Sequence, residues 1–207
     1  MEEREIKKIV LESVSTSFVD FSSNPFHFMY ENDMQSHLFN LLRRNLNNPE
    51  IPIDHNNSAV KSINLINTEY GEKRYERGRE CKVSRVDIVC LNEKEAVKII
   101  TKNKNEPNLN FLWSLPILIG IEIKLITYQD LGKGFNICLN DRIKLAKFGD
   151  YLKNWLQLTY FQNEKTFEAF CKIVPPSSPI IKSGTSQKTS PEFDHIHLVS
   201  ANKWHQI

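Results

Sequence analysis

The stretch 116-PILIGIEIKLITYQ-129 holds most of what the sequence says about the fold. Its run of Ile and Leu is short and bounded by turn-forming residues, which is typical of a strand buried inside a sheet. Two charged residues, Glu122 and Lys124, interrupt this run. Residues two apart in a strand point to the same side, so these charges share one face. Because a buried charge needs a partner, the pattern predicts a polar site within an apolar sheet.

A second apolar strand, predicted over residues 83–91, carries Asp87 at its middle. If the two strands are neighbours in a sheet, Asp87, Glu122 and Lys124 converge. Two carboxylates brought together repel each other unless a cation lies between them, and oxygen ligands select hard ions such as Mg²⁺ or Mn²⁺. A lysine beside such an ion can orient a water molecule or offset charge on a phosphate. The three residues therefore form a workable site for metal-assisted phosphodiester hydrolysis.

The rest of the chain predicts an α/β domain with a central mixed sheet flanked by helices. Apolar residues at helical spacing predict helices over residues 2–14, about 30–46 and 141–158. Strands are predicted over residues 59–68 and 195–204, the latter as an edge strand. Residues 15–30 and 128–136 are interpreted as connections, 93–110 as a helix or a strand, and 164–174 as a short helix before a strand.

These elements are expected to form a single domain over residues 1–207. Its predicted parts are an N-terminal helix and connection (1–29), a core (30–174), a mobile Ser/Pro-rich loop (175–194) and a C-terminal strand (195–207).

Composition sets broad limits on the function. Hydrophobic residues make up 40% and charged residues 25% of the chain, as in ordinary folded domains. The net charge of +2 is compatible with a polyanionic partner without requiring one. The four cysteines are widely spaced and form no zinc pattern, and the longest apolar run is broken by Pro, Gly and two charges. We therefore expect a cytoplasmic protein that has reduced thiols and does not insert into a membrane.

An acidic residue, Glu31, opens the first predicted core helix in 30-YENDMQSHLF-39. An Asp on one strand, Glu-x-Lys on a later strand and an acid on this helix together resemble the PD-(D/E)XK nuclease superfamily, which has the restriction-endonuclease-like fold. The charged stretch 67–89 also resembles the hairpin that leads into the Asp strand of that superfamily. The resemblance covers residues from about 30 to 174 and implies the element order α-β-β-β-α-β.

Two features depart from the pattern of that superfamily. Val86 stands where the name motif has Pro. The 34 residues between Asp87 and Glu122 are more than a hairpin needs, so residues 93–115 must form an insertion or an extra element.

The resemblance implies a role for each matching residue. Asp87 and Glu122 would bind Mg²⁺, with Mn²⁺ as a substitute, together with the backbone carbonyl of Ile123. Lys124 would assist the attacking water, and Glu31 would hold a metal-bound water or a second ion. The implied activity is that of a Mg²⁺-dependent DNA endonuclease, with RNA less expected as a substrate. A homodimer would allow cleavage of both strands of a duplex.

Nucleic acid is expected to contact polar and basic side chains around this site. The predicted hairpin 70–85 carries six Lys or Arg residues against three Glu residues, a charge pattern that can follow a phosphate backbone. The predicted contacts are Gln35, Arg77, Arg79, Arg85 and Lys144.

Several alternatives stay open from the sequence alone. The same fold could serve as a catalytically inactive module that binds nucleic acid or protein, or the chain could be an unrelated α+β domain whose strand charges pair with each other. Glu122 and Lys124 could lie in water on an edge strand. The position of Glu31 could reflect only the favourable interaction of a negative charge with the dipole at the start of a helix. Asp33 or Glu69 could then take the role in the site that the resemblance gives to Glu31.

Overall fold

The computed structural model describes residues 1–47, 49–53, 61–76, 79–105, 110–146, 148, 151–173, 182–184, 191–200 and 203–206. Within these ranges the helices are α1 (Glu3–Ser23), α2 (Glu31–Asn45), α3 (Glu93–Lys102), α4 (Leu131–Ala146) and α5 (Glu164–Ile173). The strands are β1 (Glu50–Pro52), β2 (Ser62–Asn64), β3 (Ile66–Glu76), β4 (Arg79–Leu91), β5 (Ile117–Ile126), β6 (Leu152–Phe161), β7 (Lys182–Gly184), β8 (His195–Ser200) and β9 (Trp204–Gln206).

The predicted mixed sheet flanked by helices is confirmed. Seven strands follow the order β3-β4-β5-β6-β8-β9-β7, and β1 and β2 form a separate antiparallel pair. The β5–β6 and β6–β8 pairs are parallel, whereas the remaining pairs of the large sheet are antiparallel. In the described part of the chain, every helix is too short or too polar to cross a membrane.

Neighbouring residues of β6 show which helices cover each face of the sheet. Tyr160 directs its hydroxyl to Ser17 Oγ of α1 at 2.8 Å, whereas the Thr159 hydroxyl lies 3.4 Å from Cys138 Sγ of α4. Because successive residues of a strand point to opposite faces, α1 and α4 lie on opposite sides of the sheet. Helix α2 packs beside α1, and α5 packs beside α4 against Phe161.

The residues between β4 and β5 form a local insertion. They contain α3, whose first turn is capped by the side chain of Asn92, and a short 3₁₀ turn over Asn110–Ser114. The insertion leaves β4 and β5 hydrogen-bonded to each other, with Val89 opposite Gly120. The long interval between Asp87 and Glu122 therefore does not move their strands apart.

The predicted helix over 141–158 is correct for residues 141–146 and wrong for residues 152–158. Residues 131–146 form α4, which includes much of the expected connection 128–136, and residues 152–161 form β6 at the centre of the sheet. The ambiguous stretch 93–110 contains α3, so its opening is helical.

The two ends of the chain also differ from expectation. Helix α1 continues to Ser23 through the expected connection, because Ser17, Phe18 and Phe21 in this stretch are buried against the sheet. The strand predicted over 195–204 is present as β8, but its predicted edge position is wrong, because β8 lies between β6 and β9. Of the predicted loop 175–194, residues 182–184 form β7, and residues 175–181 and 185–190 lie outside the described residues.

Candidate active site

Asp87 and Glu122 meet where the ladder between β4 and β5 ends. The last paired residues are Ile88 and Ile121, so extending the register by one position places Asp87 beside Glu122. The side chain of Asp87 also contacts the neighbouring strand β5, since its Oδ2 accepts a hydrogen bond of 2.7 Å from the backbone N–H of Ile123. Burial raises the pKa of Asp87, although the Ile123 N–H and Lys124 favour its charged form.

Glu122 is the most deeply buried group of the site. Its side chain is 0% exposed, because β5 is an interior strand covered by α4 on this face. The edge-strand interpretation of Glu122 is therefore wrong. Its Oε1 forms an ion pair of 2.6 Å with Lys144 Nζ, and its Oε2 has no hydrogen-bond partner within the described ranges. Burial and the charge of Asp87 raise the pKa of Glu122 to about 8.

Lys124 joins the sheet to two helices. Its Nζ lies 2.9 Å from Glu31 Oε1 at the start of α2 and 3.5 Å from Asp141 Oδ2 of α4. Burial alone would lower the pKa of Lys124, but Asp141 and Glu31 raise it above its ordinary value. The ammonium group therefore stays charged at neutral pH.

The acidic residues at the start of α2 have separate roles. Asp33 Oδ2 accepts hydrogen bonds of 2.9 Å from the backbone N–H groups of Met29 and Tyr30, so Asp33 fixes the chain entering the helix. Glu31 is left to pair with Lys124. Glu69 is exposed and accepts a hydrogen bond from Gln35, which places it next to the site without a contact to Lys124 in the described structure.

Asp141 is a site residue that the sequence pattern did not identify. It was interpreted as a helix start, but it lies inside α4 and its side chain is 14% exposed. It contacts Lys124 at 3.5 Å and Lys144 at 3.8 Å. The available signal was the i, i+3 spacing of Asp141 and Lys144, which places both side chains on one face of a helix.

Gln157 was missed because its strand was predicted as a helix. It lies directly beside Glu122 in the parallel register of β5 and β6, and its side chain is 0% exposed. Neither its amide nitrogen nor its amide oxygen has a hydrogen-bond partner in the described part of the protein. A polar residue within an apolar strand was the same signal that identified Glu122.

The residues predicted to contact nucleic acid are distributed unevenly. Gln35 donates a hydrogen bond of 2.8 Å to the backbone carbonyl of Asp87, and Lys144 reaches Glu122 inside the site. Arg85 is exposed on β4, two residues before Asp87. Arg79 is the first residue of β4, and Arg77 lies outside the described residues.

The charges and donor atoms of this site fit a divalent cation. Four carboxylates surround two ammonium groups, which leaves a net charge of −2 when all six groups are ionised. The described residues contain no set of three or more His, Cys, Asp or Glu side chains that could hold a metal ion. Mg²⁺ usually takes only one or two carboxylates and completes its shell with water and substrate oxygens. Asp87 and Glu122 match that requirement.

Comparison with protein-family models, curated proteins and solved structures gives no match for this chain. The interpretation of the site therefore depends on its own geometry and chemistry.

Proposed function

We propose that this protein is a Mg²⁺-dependent DNA endonuclease with a restriction-endonuclease-like fold. One observation carries the proposal: Glu31, Asp87, Glu122 and Lys124 come together at the end of the β4–β5 ladder. The order of α2, β3, β4, β5, α4 and β6 along the chain supports the proposal, because it agrees with the order that the resemblance implies once the β1–β2 pair and the inserted α3 are set aside.

Asp87 and Glu122 are the residues that would hold the cation. The Ile123 N–H fixes one oxygen of Asp87, and Glu122 presents an oxygen without a hydrogen-bond partner in the described structure. A bound Mg²⁺ would neutralise these carboxylates, lower the pKa of a water molecule and stabilise charge on a phosphate. The backbone carbonyl of Ile123 stays a predicted third ligand.

Lys124 is suited to donate hydrogen bonds and less suited to act as a base. Its raised pKa keeps it protonated, so it cannot take a proton from water at neutral pH. Glu31 and Asp141 hold the ammonium from two sides and direct it within the site. We infer that Lys124 orients the attacking water or the phosphate and offsets the charge that develops there.

A plasmid-nicking assay with Mg²⁺ and Mn²⁺ tests this function. Asp87→Asn and Lys124→Met preserve side-chain size, and each is expected to reduce cleavage by about a hundredfold or more. Lys153→Met is the matched control, because Lys153 pairs with Glu3 on the surface away from the site. Cleavage that is unaffected by either site substitution would overturn the proposal.

A second candidate is a catalytically inactive module of the same fold. The ion pair of 2.6 Å between Lys144 and Glu122 favours it, because this lysine already supplies positive charge at the carboxylate that would bind a cation. A calorimetric titration with Mn²⁺ separates the two candidates. An intact fold that binds no Mn²⁺ supports the module, and Mn²⁺ binding that depends on Asp87 supports the nuclease.

A further inference from the structure

Lys144 has two carboxylates within reach of its ammonium group. Its Nζ lies 2.6 Å from Oε1 of the fully buried Glu122 and 3.8 Å from Oδ1 of Asp141, one turn earlier on α4. Lys124, in contrast, is held by Glu31 and Asp141. Lys144 is therefore the lysine that serves as counter-ion to Glu122.

The surroundings of this ion pair contain polar atoms that lack partners. Oε2 of Glu122 and both amide atoms of Gln157 are buried without a hydrogen bond to any described residue, and Oδ2 of Asp141 has only the ion pair of 3.5 Å with Lys124. Such atoms are nearly always partnered in folded proteins, so their concentration in one place indicates a site that is completed by another group. Gln157 is independent of the acidic cluster, since it comes from β6 and is 0% exposed beside Glu122.

We propose that Lys144 is an exchangeable counter-ion that a divalent cation displaces from Glu122. This inference rests on the proposed cation site at Asp87 and Glu122. Without the cation, Lys144 is the partner of Glu122, whose ionised form would otherwise be a buried and unpaired charge. When a cation binds, two positive charges on one buried carboxylate repel each other, and the ammonium moves to Asp141 and the amide oxygen of Gln157. Asp141 Oδ1 already lies 3.8 Å from Lys144 Nζ, and Gln157, beside Glu122 in the sheet, has a buried amide oxygen without a hydrogen bond in the described structure.

Calorimetry with Mn²⁺ and no nucleic acid tests the exchange. Lys144→Met removes the competitor and is expected to tighten Mn²⁺ binding by about tenfold or more. Lys124→Met is the matched control, because it removes the same charge from the same site but not from Glu122. An equal increase in Mn²⁺ affinity in the two variants would show a general electrostatic effect and overturn the exchange. A larger gain in Lys144→Met supports it.

A second measurement uses the wild-type chain and does not depend on how the variants fold. The Nζ signal of Lys144 is followed by nuclear magnetic resonance during a Mg²⁺ titration, and it is assigned by its absence in Lys144→Arg. Exchange predicts a change in this signal with the same midpoint as cation binding. A signal that stays unchanged at saturating Mg²⁺ overturns the inference.

The outcomes separate this inference from the proposed function. Wild-type protein that binds Mn²⁺ and cleaves DNA, with no tighter binding in Lys144→Met, overturns only the exchange. Binding by Lys144→Met but not by the wild type supports the exchange and favours the inactive module, because Lys144 then excludes the cation. An absence of binding in every variant overturns the exchange and the metal-dependent nuclease together.

Discussion

Glu122 differs from the other acidic residues of the site in its burial and in its protonation. Among the described residues it is the only Asp, Glu, Lys or Arg that is buried. Burial of a carboxylate in a region of low dielectric constant favours its neutral form, and the nearby charge of Asp87 adds to that effect. Lys144 acts in the opposite direction without cancelling it. Glu122 therefore holds a proton at neutral pH more readily than an ordinary glutamate.

This raised pKa predicts that the cation-free protein loses the stability contributed by protonated Glu122 as pH rises. Between the ordinary value of 4.5 and about 8, folded Glu122 holds a proton that the unfolded chain releases. The contribution of Glu122 to the free energy of unfolding should therefore fall by about 1.4 kcal/mol per pH unit across this window and level off above it. Burial lowers the pKa of His197 to about 4, which gives an opposite slope below pH 6.5, so the Glu122 contribution is read as the difference between the wild type and Glu122→Gln. Urea denaturation in EDTA at several pH values measures the slope. Glu122→Gln should lack this component, and an identical pH dependence in that variant would contradict the prediction.

At the scale of elements, the sequence predicted the parts of the site whose signal is local. Glu122 and Lys124 stand out because Ile and Leu surround them, and α2 is identified by its apolar spacing at three and four residues. Strand β6 lacks such a signal. Leu152, Trp155 and Leu156 reproduce helical spacing, although these residues form a central strand.

The site residues that were missed depend on long-range pairing. Gln157 joins the site only because β6 lies parallel to β5, and α4 separates these two strands along the chain. Asp141 joins the site because α4 begins at Leu131 and places Asp141 inside the helix. The first turn of α4 contains two glycines, which oppose helix formation, so the sequence does not predict this start. Tertiary packing overrides local propensity at both places, and a single sequence contains no direct record of that packing.

The hydrogen bond between α1 and β6 gives a prediction at the element scale. Ser17 and Tyr160 are both 0% exposed, and their hydroxyl groups lie 2.8 Å apart. Ser17→Ala leaves the Tyr160 hydroxyl buried without this partner and should cost about 1–3 kcal/mol. Tyr160→Phe should cost less, because the Ser17 hydroxyl can bond to a carbonyl of its own helix.

The double variant provides the control for that prediction. Tyr160→Phe in the Ser17→Ala background removes the buried hydroxyl that has lost its partner, so it should restore part of the lost stability. Urea denaturation of the four proteins of this cycle measures the coupling. Strictly additive effects would mean that the two hydroxyl groups do not interact in solution.

At the scale of the whole molecule, the site depends on elements that are distant along the chain. Glu31 comes from α2, Asp87 from β4, Glu122 and Lys124 from β5, and Asp141, Lys144 and Gln157 from α4 and β6. The unfolded chain cannot hold these groups together. A ligand of the assembled site therefore binds the folded state alone and shifts the folding equilibrium.

This linkage predicts that Mg²⁺ raises the melting temperature of the wild-type protein. At a concentration one hundred times its Kd, a ligand adds about 2.7 kcal/mol, which corresponds to about 5–10 °C for a chain of this size. Asp87→Asn should reduce the shift strongly, because it removes one of the two carboxylates proposed to hold the cation, whereas Lys153→Met should retain it. NaCl at equal ionic strength controls for screening of surface charges. A shift of the same size in Asp87→Asn would mean that Mg²⁺ stabilises the fold elsewhere and that Asp87 and Glu122 do not form a cation site.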